Sequence, residues 1–117
     1  MRIEVRGRNV VVDDELREHV FKRFRRVGRQ VSELATLDVT VWEERNPAIP
    51  ESQVAEATLR LKGVTLHAKE ASPELLHTIH ELAQDVHRQV KKHREKRRKR
   101  ARTRRLVNQL RGRVAEA

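Results

Sequence analysis

The chain has six histidines and no cysteine, so any metal chemistry would rest on imidazoles and carboxylates. In "HTIHE", His77 and His80 stand three residues apart and Glu81 lies four beyond His77, so one helix face offers zinc two or three ligands. The order is not H-E-x-x-H, no thiolate is available, and no residue nearby supplies a fourth position; the reading is no metal. Ser32, Ser52 and Ser72 sit where loops or caps are expected, with no nucleophile at a strained turn. The glycines, Gly7, Gly28, Gly63 and Gly112, are too scattered for a phosphate-cradling loop. The expectation is a protein that is not an enzyme and needs no cofactor or small-molecule substrate.

The chemistry that remains is charge. "RQVKKHREKRRKRARTRRL", residues 88–106, holds twelve Lys and Arg against Glu95 alone. Residues 88–117 carry 14 of the chain's 27 bases and two of its 17 acids, leaving 13 bases and 15 acids in the first 87 residues. A near-neutral body with one strongly positive element seeks a polyanion. A membrane surface would need apolar side chains to insert beside the bases, but the helix faces that could do so are needed for a core, and the run has no bulky apolar residue until Leu106. No window approaches the roughly 18 to 20 apolar residues of a membrane span. The reading is a soluble, cytoplasmic protein that binds nucleic acid and not membrane.

The aromatic inventory narrows the mode of binding. Phe21, Phe24 and Trp42 are the only aromatics, so a sheet that stacks single-stranded bases has almost no platform. Phe24 reads as core. Trp42 falls on the outer side of its strand, where neighbouring Arg and Lys stems are expected to cover it in part. Backbone and shape recognition of folded RNA is the remaining mode. His67, His87 and His93 read as surface or RNA-contact residues.

The positions of these groups follow from the elements. "RIEVR" turns Ile3 and Val5 to one face and Arg2, Glu4 and Arg6 to the other, the period of a half-buried strand. Asp13 and Asp14 suit the start of a helix in which Leu16, Val20, Phe24 and Val27 form the apolar stripe. Lys22, Arg25, Arg26 and Arg29 lie opposite, and a stop is expected near Gly28. "LDVTVWEE" alternates as a second strand, and "RNPAIPES" is a loop. "VAEATLRLKGVTLHAK" reads as a hairpin turning at Lys62-Gly63, with Leu61 facing Val64, Leu59 facing Leu66 and Ala57 facing Ala68. Ser72 and Pro73 are expected to open a closing helix whose stripe is Leu75, Ile79, Leu82, Val86 and Val90. Beyond Val90 the stripe fails for about fifteen residues, so the basic run is either a solvated extension of that helix or a tail, with Leu106, Val107, Leu110 and Val114 returning at its end.

The expected fold is α+β in the order β-α-β-β-β-α: a four-stranded, mostly antiparallel sheet with two helices on one face. The basic outer sides of the two helices, Arg23, Arg26 and Arg29 on one and Arg88, Lys91, Lys92 and Arg94 on the other, then form a single positive stripe that tracks phosphates.

The opening "MRIEVRGRNVVVDDELREHVFKRF", the hairpin "ATLRLKGVTLHAKE" and the closing "TIHELAQDVHRQVKKHREK" together resemble the bacterial ribosome hibernation promoting factor family, also called ribosome-associated inhibitor or ribosomal subunit interface protein, over about residues 1–96. The resemblance implies a domain shaped like a double-stranded RNA-binding domain, seated on the small ribosomal subunit and its rRNA where mRNA and tRNAs would lie, and inhibiting translation under stress. It implies rRNA contacts at Arg23 and Arg26, with Arg29 close by, and at Arg88, Gln89, Lys92, Arg94 and Lys96, to which the basic helix faces add Lys22 and Lys91. The sequence departs from the family pattern at Glu74, Leu75 and Leu76, where Asp-Met-Tyr is common, and at Asp85, an acid where a base is expected, which weakens the stripe there. Residues 97–117 are then a basic helical extension or a linker. Long members carry a C-terminal domain that pairs ribosomes, so dimerisation of ribosomes is expected only if such a domain follows Ala117. Two other readings are a general binder of double-stranded or structured RNA, and a scaffold that holds a protein partner through the open sheet and Trp42.

Overall fold

A computed structural model describes residues 1–116, with side chains as far as residue 112. The order is β1 (Arg2–Gly7), α1 (Asp14–Arg23), α2 (Arg25–Gln30), β2 (Thr36–Glu43), β3 (Gln53–Leu61), β4 (Val64–Ser72) and α3 (Leu75–Glu116). The strands form one sheet in sequence order. β1 runs parallel to β2, as the helical crossover between them requires, and the other two pairs are antiparallel. The fold is the expected α+β arrangement.

The hairpin register is the one its alternation dictates: Leu61 opposite Val64, Leu59 opposite Leu66, Ala57 opposite Ala68. A slip by one residue would turn every apolar side chain to solvent. Gly63 closes the turn at φ +80°, a conformation that costs any side chain. On the inner face Leu37, Val39, Val41, Ala55, Ala57 and Leu59 are fully buried, and Ile79, Leu82, Val86 and Val90 of α3 pack over them in one core.

Asp13 caps α1 by accepting a hydrogen bond from the Leu16 amide at 2.8 Å, and Asp14 and Glu15 in the first turn complement the helix dipole. The helical run ends at Gln30, two residues past Gly28, near which the stop is expected. It is interrupted at Phe24 (φ −91°, ψ 5°), and α2 then runs through Gly28 to Gln30. The Phe24 amide still reaches the Val20 carbonyl at 3.0 Å and the Gly28 amide the Phe24 carbonyl at 3.0 Å, so the hydrogen-bond ladder spans the interruption. The break lets fully buried Phe24 seat in the core while α2 keeps Val27 inward. Met1 packs beside Gly28, where a Cβ would make ordinary contact with the Met1 thioether methyl at 3.4 Å.

The closing helix also begins differently from the sequence expectation. β4 runs on to Ser72, paired with Gln53, and α3 starts at Leu75. The Ser72 hydroxyl is buried, accepting from the Glu74 amide at 3.2 Å and donating to Thr78 Oγ1 at 2.6 Å. Thr78 Oγ1 lies 2.9 Å from the Gln53 carbonyl, so one buried hydroxyl pair ties α3 to the end of the β3–β4 hairpin.

Past Val90, α3 continues as an exposed rod, which stretches the molecule to 72 × 30 × 18 Å. The basic run is therefore helix throughout its described length. Leu106, Val107 and Leu110 are exposed along it, and the Val114 side chain lies outside the described residues. No described helix is long and apolar enough to cross a membrane.

Two glycines separate conformational from steric cost. Gly63 has open space around a built Cβ, so Gly63→Ala should cost about 1 kcal/mol for its positive φ alone. At Gly7 a Cβ would run into the backbone carbonyl of Val10, and Gly7→Ala should cost about 2 to 3 kcal/mol. Chemical denaturation of the two variants checks the order; an equal or reversed cost would contradict the close approach at Gly7.

Candidate nucleic-acid interface

With both helices on one sheet face, their outer sides meet along a seam. The upper part is an open groove of about 720 Å³ lined by six cations, Lys22, Arg23, Arg25, Arg26, Arg29 and Arg88, and by no carboxylate. The lower part lies against it, sharing Arg26 and His87 and adding Lys91, Arg94 and Arg98 with the single acid Glu95. The groove's floor is the α2–α3 contact, where Val27 and Ala83 are buried.

Of the residues expected at the site, Lys22, Arg23, Arg26, Arg29 and Arg88 line the upper groove and Lys91 and Arg94 the lower. Gln89, Lys92 and Lys96 line neither. Gln89 turns to the sheet edge and donates to the His67 carbonyl at 2.8 Å and to Asp85 Oδ1 at 3.1 Å, positioning α3 over β4. Asp85 likewise leaves the groove uninterrupted: it faces β4, where burial first and then the repulsion of the Asp85 carboxylate hold the Glu70 carboxyl above its usual range. Arg25, read from the sequence as part of the basic helix face but not as an RNA contact, joins the groove, as does Arg98; Arg98 follows Lys91 by seven residues and Arg94 by four, the helical spacing that would have found it.

The ion pairs among the described residues lie elsewhere: Arg2 and Arg6 with Glu4, Arg60 with Asp38, His77 with Glu81. The groove's bases are thus uncompensated, a cost that a polyanion would relieve. At its centre Arg26 Nη2 lies 3.0 Å from His87 Nε2. A guanidinium can only donate, so His87 accepts there and is the neutral Nδ1–H tautomer, with that Nδ1 buried and unpartnered. Burial first, then the charges of Arg26 and Lys91, push the imidazole below its ordinary pKa.

On the open sheet face Trp42 is half-buried, as expected from its neighbours. The Arg8 guanidinium lies 4.6 Å and the Lys69 ammonium 5.5 Å from its ring centre, and Nε1 donates to Glu44 at 3.0 Å. His77 and His80 take separate partners, His77 pairing with Glu81 at 3.8 Å and His80 meeting Gln84 at 3.1 Å. Among the described residues no cluster of three or more His, Asp and Glu could hold a metal ion.

Residues 3–98, which span all but the first residue of the sheet, α1, α2, α3 as far as Arg98 and the groove, match the model of the family described as Sigma 54 modulation protein / S30EA ribosomal protein. The chain belongs to this family. Curated relatives include a ribosome hibernation promoting factor of Pseudomonas putida, 29% identical over 82% of this chain and 89% of that protein. One of Acinetobacter guillouiae is 24% identical over 81% and 88%. A ribosome hibernation promotion factor of Picosynechococcus is 26% identical over 82% of this chain but only 50% of its own length. Among solved structures, a ribosomal subunit interface protein from Coxiella burnetii superposes with a TM-score of 0.69 at 20% identity, covering 81% of this chain and 99% of that one. The N-terminal domain of Thermus thermophilus Protein Y gives 0.69 at 24%, covering 79% and 98%. The fold is shared with these solved structures.

The His87 environment sets a pH dependence. The unfolded chain takes up a proton at this site near pH 6.5 and the folded one only at lower pH. Stability should therefore fall as pH drops below that value and level off once the folded state is also protonated. Arg26→Gln removes one of the opposing charges, so NMR titration of the His87 ring should show its pKa move up. An unchanged value would mean that the Arg26 charge contributes nothing.

Proposed function

We propose that this protein is a ribosome hibernation factor that occupies the mRNA/tRNA channel of the small ribosomal subunit, holds rRNA phosphates along the α2–α3 groove, and stops translation under stress. The observation that carries this reading is the carboxylate-free row of uncompensated cations at the seam of the two helices. Guanidinium groups on a rigid helix pair make charge-assisted, often bidentate bonds to phosphate oxygens and read helix shape rather than base sequence. The names of the relatives support the ribosome as the target, and the ribosome places the protein in the cytoplasm. It acts by occupancy, without catalysis or cofactor.

Residues 1–96 are the ribosome-binding unit in this reading, and the basic rod beyond them adds contacts along the RNA path. Lys92 and Lys96 project from α3 beside the groove and would meet RNA that wraps over the helix. If half of the twelve bases in residues 88–106 met phosphates, log affinity would fall with log salt at a slope of about −4 to −5, taking roughly 0.7 to 0.9 per contact. The open sheet face makes a poor rival surface, because Arg2 and Arg6 there are already engaged with Glu4.

Co-sedimentation with purified small subunits across a salt series tests the assignment. Arg88→Glu with Lys92→Glu should weaken binding far more than Arg2→Glu with Arg6→Glu, by roughly a hundredfold or more if each reversal costs about 1.5 kcal/mol. Equal losses would overturn the orientation. Wild-type binding should survive a modest excess of duplex RNA and block translation in the same mixture. Removal by that competitor would identify a general binder of structured RNA instead.

A further inference from the structure

Below the groove, where α3 leaves the sheet, lies a second concavity of about 520 Å³, within the range of small-ligand sites. Its floor is apolar, made by Val31, Ala35, Leu61 and Val90. Its rim is cationic, and no carboxylate lines it. Arg60 on that rim is occupied by Asp38, which leaves Lys62, Arg94 and Arg97 as the bases facing the opening without an ion-pair partner. Leu34, on the loop before β2, is 90% exposed and forms an apolar lip.

Two residues join this cleft to the phosphate track: Gln30 and Arg94 line both. Gln30 has a second feature, a side-chain Oε1 that is buried without a hydrogen-bond partner. An unsatisfied acceptor costs free energy that an arriving N–H would recover, and the last torsion of a glutamine side chain is soft enough to turn toward one. An apolar slot, an amide acceptor in its wall and phosphate-binding bases at its mouth are complementary to a nucleobase, an exocyclic amino group and a phosphate, in that order. Arg94 and Arg97 can also stack their guanidinium planes on a base. A fatty acid would use the floor and the rim but leave the Gln30 acceptor unpaired.

We propose that this cleft takes one unstacked nucleotide of the bound RNA, its base on the Val31–Leu61 floor beside Gln30 and its phosphate on Arg94, Arg97 and Lys62. The inference rests on the proposed function and extends it: the groove supplies sequence-independent affinity, and the cleft supplies a single base contact that the aromatic-poor sheet lacks. Bases with an exocyclic amino group are preferred over uracil.

The test begins with a 1H–15N NMR titration of the full chain with AMP, CMP, GMP, UMP and inorganic phosphate. The nucleotides should shift the amides of Leu34, Ala35 and Leu61, with UMP the weakest, and phosphate alone should leave those amides in place. Val31→Trp fills the cleft without changing charge. It should weaken small-subunit co-sedimentation about tenfold, the loss of one stacked base, with the salt slope unchanged. Should that variant fail to fold, Leu34→Glu at the exposed lip carries the same test and should also weaken binding. Phosphate reproducing the nucleotide shifts would reduce the cleft to an anion site and overturn the proposal. So would variants that sediment like wild type while Arg26→Glu with Lys91→Glu does not, a result that leaves the groove reading standing. Micromolar binding of a free nucleotide, abolished by the variants with no change on the ribosome, would overturn the RNA assignment in favour of a free ligand. A wild type that does not sediment with subunits would overturn the functional reading, and the nucleotide titration would then decide the cleft by itself.

Discussion

The placement of every charged group that α3 brings to the groove depends on the burial of one stripe. Ile79, Leu82, Val86 and Val90 lie at turn spacing on α3 and are essentially inaccessible against the sheet. Side chains of this size bury about 1.5 to 3 kcal/mol each relative to exposure, so rotating the helix even a quarter turn would forfeit most of that stabilisation. The rotation is thereby fixed, and the positions flanking the stripe are fixed with it: His80, His87 and Lys91 toward α2, Asp85 and Gln89 toward β4. The Ser72–Thr78 hydroxyl pair fixes the remaining freedom, translation along the axis, by tying the first turn to the Gln53 carbonyl. A core contact thus sets the electrostatics of the surface.

The two surfaces of the molecule treat charge in opposite ways. On the open sheet face bases have acidic partners, Arg2 and Arg6 with Glu4 along β1 and Arg60 on β3 with Asp38 on β2, and Arg8 and Lys69 lie over Trp42. On the helical face the bases accumulate without partners, and His87 gives up its proton to accommodate them. Mutual repulsion among those bases is a standing cost to the free protein, of the kind that binding surfaces carry and structural surfaces avoid. The rod beyond Val90 extends the same pattern: Lys92 and Lys96, Arg94 and Arg98, Arg98 and Arg102 stand as like charges one helical turn apart, each pair slightly destabilising until counterions or phosphates screen it.

Much of this was legible from local pattern. The hairpin register could be written from the alternation around Lys62-Gly63, because a two-residue turn leaves one pairing that keeps both strands facing the same way. The stripe of α3 was legible because its spacing has a single interpretation. The interruption at Phe24 was not, since the sequence there reads as an unbroken amphipathic helix. Nor was the buried use of Ser72: its position before Pro73 suggests a cap, but the β3–β4 ladder runs long enough to claim it as the last strand residue.

For the site, residue type and spacing alone put one basic surface on the first helix and one on the last, and left the run beyond Val90 open as helix or tail. Which bases act together was decided by tertiary structure. Arg88 and Gln89 are neighbours in the chain and part company on the helix, one entering the groove and the other bonding to the sheet edge; Arg26 and His87 are 61 residues apart and share a hydrogen bond. Asp85 looks from the sequence like a break in the stripe and is turned out of it. The concavity between the sheet end and α3 has no sequence signature at all, because Val31, Leu61 and Val90 come from three elements and become one surface only when the sheet ends and the helix does not. Composition specifies how much charge there is, and packing specifies where it converges, because helical phase relative to a buried core is a property of the whole fold.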